Sequence, residues 1–156
     1  MKLYVKSKEK AEAGNDLTKP HVIISISFPL RPNPIDEDEM AANPATNEYT
    51  KEVLYLFFSD VGRISNPLHS KLNSGCVPFN KEMAGQVIDL IERNKVEHII
   101  AHCLMGMSRS ASLADAISMY YNLEKSTSYM VVNTLVYITM LEELIKRNPL
   151  NYAPVV

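Results

Sequence analysis

The stretch Val96-Glu97-His98-Ile99-Ile100-Ala101-His102-Cys103-Leu104-Met105-Gly106-Met107-Ser108-Arg109-Ser110 changes character along its length. Val96 to Ala101 is an apolar run of strand length, and from Ser110 to Tyr121 alanines accompany Leu113, Ala116, Ile117 and Tyr120 at helical spacing. Between them lies a short loop. A strand, a tight loop and a helix in that order can hold a tetrahedral dianion, because the loop wraps backbone N–H groups around the oxyanion and the helix adds the positive end of its dipole. Gly106 gives the loop its conformational freedom. A thiol at Cys103 would sit among N–H donors, a helix start and a guanidinium, all of which favour the thiolate and make it a nucleophile. Arg109 can close the cradle with a planar fork that lysine does not reproduce.

Working outward, the rest of the chain predicts a sheet around that strand. Leu3 to Val5 reads as a short strand, with Ser7 as N-cap of a brief helix over Lys8–Ala13 and Gly14 as its stop. His21 to Ser27 is β-branched and nearly continuous between Pro20 and Pro29, the pattern of a strand covered on both faces. Glu52 to Phe58 is another strand-length run. Asn80 caps a helix whose stripe is Met83, Ala84, Val87, Ile88 and Ile91 and which ends near Asn94. Leu135 to Arg147 is a further amphipathic helix, stopped at Asn148-Pro149. Pro29 to Thr50, with the acidic cluster Asp36 to Glu39, reads as a long surface excursion in which a short helix is an open alternative. Val61 to Phe79 reads as a loop long enough to favour a functional role. The expectation is a single domain over residues 1–156: a small three-layer α/β domain, a central mainly parallel sheet flanked by helices, with a phosphate-binding loop between a strand and a helix.

Composition narrows the classes. The chain has 156 residues, 46% hydrophobic and 22% charged, with 16 Lys+Arg against 18 Asp+Glu and a net charge of -2. That suits one globular domain and lacks the basic excess expected of a nucleic-acid binder. The cysteines Cys76 and Cys103 are too few for a disulfide framework or a four-ligand zinc site, so free thiols in a reducing compartment are expected, and no metal or cofactor. No run of eighteen apolar residues occurs, and the charged start Met1 to Lys6 does not resemble a signal peptide. A cytoplasmic monomer without membrane contact is the expectation.

The string HCLMGMSRS over His102–Ser110 resembles the His-Cys-x5-Arg-Ser signature of the cysteine-dependent protein tyrosine phosphatases, and its Gly-x-Ser-Arg-Ser ending is most similar to the dual-specificity branch. The order of elements from about residue 20 to 147 is similar to the compact catalytic domain of that branch. The ISIS strand, the strand ending in FFSD and the PF-initiated helix resemble small bacterial and phage members. The resemblance implies dephosphorylation of phosphotyrosine, and also of phosphoserine or phosphothreonine under dual specificity, in a protein or peptide substrate. Cys103 would form a phosphocysteine. Leu104, Met105, Gly106, Met107, Ser108 and Arg109 would bind the phosphoryl group through loop amides and the guanidinium. His102 would orient the loop, Ser110 would hydrogen-bond the sulfur, and Ser108 would hold the loop's shape. The family also uses a general acid from an upstream loop, and Asp60 is the only carboxylate between Phe58 and Lys81. In better-known members that aspartate lies a few residues further into its loop.

Plainer readings stand beside these. Asp60 could form a turn, Cys76 could be an ordinary loop thiol or a redox partner of Cys103, and His69 is solvated or contacts substrate. Arg31 and Arg63 are exposed or read an anionic neighbour of the phosphate, and Met105 and Met107 are read as packing residues. The same chemistry on a phosphoinositide or an RNA 5'-phosphate is a second enzyme reading, although loop lysines and an Asn-Arg-Thr ending, which would favour them, are absent. A pseudophosphatase that only binds phosphate is a third, although Cys103 and Arg109 are both in place. Rhodanese-like sulfur transfer fits the Gly-x-Ser-Arg-Ser ending poorly.

Overall fold

The computed structural model describes residues 1–30, 40–62, 76–123 and 133–149. Its elements in chain order are β1 (Lys2–Ser7), α1 (Lys8–Ala13), β2 (His21–Ser27), β3 (Thr50–Phe57), α2 (Lys81–Asn94), β4 (His98–Cys103), α3 (Arg109–Tyr120) and α4 (Thr134–Arg147). The strands form one four-stranded sheet in the order β1-β4-β2-β3. Every pairing is parallel, so the expected mainly parallel sheet is wholly parallel among the described residues.

Alternation along the strands assigns each residue to a face. Leu3, Val22, Ile24, Ile26, Leu56, Ile99, Ala101 and Cys103 join one core with Val87, Ile88, Leu90 and Ile91 of α2, Leu113 and Ile117 of α3, and Val136, Met140 and Leu144 of α4. Of these three helices, α4 packs against both α2 and α3, and together they cover that face. On the opposite face Ile23 and Ile100 lie under Ala11 of α1 and under Pro44 and Ala45. β2 is therefore buried along its whole length, as its unbroken apolar run requires.

The second covering layer refines one expectation. Residues 40–49 run along the surface as expected but also close over the sheet, because two of them turn inward. Ala42 and Pro44 are buried, the Ala42 amide donates to Ser27 Oγ at 3.0 Å, and the Ala45 amide donates to the Ala11 carbonyl at 2.8 Å. Residues 31–39, where a short helix and the acidic cluster were considered, lie outside the described residues.

Local signals explain the helix starts. Ser7 Oγ accepts from the Lys10 amide at 3.2 Å, and Asn80 Oδ1 accepts from the Met83 amide at 2.9 Å. Gly14 ends α1, as expected, in an extended conformation with φ 164°. A left-handed C-cap follows α2, at Lys95 with φ 51°. Arg93 and Asn94 of α2 both donate to the Glu52 carboxylate of β3, holding it down to about 2.

The carboxyl ends of the parallel strands carry the region of interest. α1 leaves β1 for one face of the sheet, whereas α3 leaves the adjacent β4 for the other. Such a divergence opens a crevice beyond the strand ends, the usual position of a ligand site in an open parallel sheet.

Candidate active site

Cys103 is the last residue of β4, still paired with Ser7 of β1, and is only 2% exposed. The strand thus runs two residues past the expected end at Ala101. Its side chain falls on the helix-covered face, so the sulfur meets the start of α3. Ser110 Oγ donates to Cys103 Sγ at 3.1 Å. Burial pushes the thiol up, but the Ser110 hydroxyl and amide, the Arg109 charge and the Gly106 amide together outweigh it, leaving the pKa below that of an ordinary thiol.

The loop 104–108 is moulded against β1. Lys8 donates its amide to the Leu104 carbonyl at 3.0 Å. Gly106 has φ 72°, and a Cβ there would stand 2.8 Å from the carbonyl carbon and oxygen of Lys6. Both the left-handed conformation and the close approach to backbone require glycine. Met105 and Met107 face outward, 66% and 50% exposed, which corrects their reading as packing residues. Buried contacts are already taken by the smaller loop residues.

His102 occupies the opposite face from its neighbour Cys103. Its Nε2 lies 2.7 Å from Ser25 Oγ, across the β2–β4 pairing. Burial lowers its pKa, so the imidazole is neutral at pH 7. A fully buried neutral ring bonded to β2 fixes the backbone from which the loop departs.

Arg109 opens α3 and is 2% exposed. Nη1 donates to the Phe58 carbonyl at 2.9 Å, and the guanidinium carbon lies 4.2 Å from the centroid of the Phe28 ring. Burial lowers its pKa while Cys103 and Asp60 raise it. The guanidinium keeps its charge at neutral pH.

Asp60 follows β3, where Ser59 bonds Val77 in both directions, amide to carbonyl at 2.7 Å and hydroxyl from amide at 3.1 Å. Its Oδ1 accepts from Ser108 Oγ at 2.7 Å and from Asn133 Nδ2 at 2.8 Å. The carboxylate that the resemblance assigned as general acid therefore meets the signature loop. Cys103, Arg109, Ser110, Ser108 and Asp60 converge on one end of the sheet. Cys76 is a partly exposed free thiol. His69, Arg31 and Arg63 lie outside the described residues.

Several contributors were not found from sequence. Phe28 reads only as the residue after a strand, and Ser25 and Ser112 as polar residues in apolar elements. Asn133 stands just before a helix, a position that suggests a cap, but nothing local to it points to Asp60. Among the described residues no group of three or more His, Cys, Asp or Glu side chains is gathered as for a metal, and no helix is long and apolar enough to cross a membrane.

Comparisons with protein-family models, with curated proteins and with solved structures returned no match to this chain.

Proposed function

We propose that this chain is a cysteine-dependent phosphomonoester hydrolase, acting on phosphotyrosine in proteins in the manner of the dual-specificity branch of the tyrosine phosphatases. The observation that carries the reading is the environment of one sulfur. Cys103 Sγ receives a hydrogen bond from the Ser110 hydroxyl at 3.1 Å, and the Ser110 amide, the Arg109 charge and the Gly106 amide act with it to lower the thiol pKa despite burial. Those same donors would accept the charge of a phosphoryl group in front of the sulfur.

In this mechanism Cys103 Sγ attacks phosphorus in line with the leaving oxygen. The S–P bond forms as the P–O bond breaks, and Asp60 delivers its proton to the departing phenolate. Arg109 gives up its bond to the Phe58 carbonyl for two phosphoryl oxygens, forked as lysine cannot be. In the second half, Asp60 takes a proton from water as its oxygen attacks phosphorus, and the S–P bond returns its electron pair to sulfur. The Ser110 hydroxyl makes that thiolate a better leaving group. Orthophosphate is released.

The rim supports this choice of substrate class. Exposed Met105 and Met107 offer apolar contact to an aromatic ring and no cation to a polyphosphorylated inositol headgroup. Free thiols at Cys76 and Cys103 suit the reducing cytoplasm.

The test is hydrolysis of a phosphotyrosine peptide and of a small aryl phosphate in the presence of chelator. Turnover by the wild-type chain, inhibition by vanadate and its loss in Cys103→Ser are expected. Undiminished turnover in Cys103→Ser would overturn the mechanism. Phosphate binding without turnover would favour the pseudophosphatase, and preference for an inositol phosphate or an RNA 5'-phosphate would change the substrate class.

A further inference from the structure

Asn133 is completely buried although its side chain is polar. Its side-chain oxygen, backbone amide and side-chain amide are committed to three different parts of the chain. Oδ1 accepts from the Val136 amide at 3.0 Å and caps α4. The backbone amide donates to Ser112 Oγ of α3 at 2.9 Å. Nδ2 donates to Asp60 Oδ1 at 2.8 Å. Next to it, the Thr134 amide donates to the Gly62 carbonyl at 3.2 Å. Gly62 has φ 95°, and a Cβ on it would stand 2.6 Å from Leu135 Cβ, so the segment after Asp60 is pressed directly onto the start of α4.

A cap alone does not require this residue. Serine and aspartate cap helices as well as asparagine does, whereas of these three only asparagine offers an amide donor beside its capping oxygen. We propose that Asn133 is a positioning residue for Asp60, setting the carboxyl group's orientation for proton transfer to the leaving group. The assignment rests on the phosphatase reading above. With Ser108 and Asn133 both donating to Oδ1, two bonds from separate parts of the chain oppose rotation about the carboxyl axis and fix the oxygen that carries the proton to the leaving group. In the first step that proton passes to the leaving oxygen as the P–O bond breaks. In the second, the same oxygen recovers a proton from water.

The experiment compares Asn133→Ser and Asn133→Asp, which both keep an oxygen cap on α4, with Asp60→Asn and the corresponding double variants. Two aryl phosphates are used, one with a poor leaving group such as phenol and one with an activated phenol. A misplaced acid costs most where the leaving oxygen needs its proton. The expected loss in kcat is about 100-fold for the phenyl ester and about threefold for the activated ester. Combined with Asp60→Asn, neither Asn133 variant should lower phenyl phosphate turnover further, because the group it positions is already gone.

Equal losses on both substrates, or additive losses in the double variants, overturn the assignment and leave Asn133 a structural cap. If Asn133→Ser is too unstable to assay, the charge-bearing but equally capping Asn133→Asp decides by the same comparison. Wild-type turnover with an Asn133 pattern unlike that expected rejects this assignment alone. Absence of wild-type turnover on every phosphate monoester rejects the phosphatase reading and this assignment with it.

Discussion

A buried thiol is usually raised and inert, so the direction at Cys103 is informative. Burial raises its pKa, yet the Ser110 hydroxyl and amide, Arg109 and the Gly106 amide bring it below the ordinary thiol value. Alkylation by iodoacetamide measured against pH should accordingly reach half its maximal rate below the pH required for a free cysteine. In Ser110→Ala the midpoint should move upward, since the donor that stabilises the thiolate is lost while burial remains; an unmoved or lowered midpoint would contradict the assignment. Arg109→Lys tests the opposite partner. A lysine keeps the charge but cannot span two phosphoryl oxygens, so kcat/KM should fall about 100-fold or more, the scale of losing one preorganised donor at a developing oxyanion.

At the scale of elements, the loop between β4 and α3 depends on its contact with β1. Gly106→Ala would bring a Cβ to 2.8 Å from the Lys6 carbonyl group at a left-handed φ of 72°. Strain of about 1–3 kcal/mol is expected, and more if the loop cannot withdraw from β1. Thermal unfolding should show a lowered midpoint, and the thiol pKa should rise, because the Gly106 amide is one of the groups that lower it. An unchanged midpoint together with an unchanged thiol titration would argue against this packing. The strands and helices that frame the loop were legible because their signals are local: the β-branched run of β2, the caps Ser7 and Asn80, the stripe of α2. Cys103, Arg109 and Gly106 were legible for the same reason, being close along the chain. The bond from Asn133 to Asp60 spans 73 positions, and the ring of Phe28 reaches Arg109 from β2's far end, so neither leaves a trace in any local window. The inward contacts of residues 40–49 are hidden from the sequence for a related reason. Half of them are exposed, as their polarity suggests, while the Ala42 and Ala45 amides bond to β2 and α1 through contacts that no local window shows.

Over the whole molecule, the candidate site is where separately folded parts meet. β1 supplies the backbone against which Gly106 packs, β4 supplies Cys103, and α3 supplies Arg109 and Ser110. The segment after β3 supplies Asp60, and the start of α4 holds it through Asn133. An anion bound there would contact groups from several of these elements at once, and binding to the native state alone stabilises it through mass action. Orthophosphate at about 100 times its dissociation constant should add about 2.7 kcal/mol. For a domain of this size that corresponds to a rise in thermal midpoint of roughly 5–10 °C. Cys103→Ser should retain most of the shift, since the amides and Arg109 remain in place, whereas Arg109→Ala should lose most of it. Sodium chloride at matched ionic strength separates this site from general screening, because it should move the midpoint little in all three proteins. A phosphate shift that survives Arg109→Ala would place the anion elsewhere on the molecule and remove the cradle from the account of the fold's purpose.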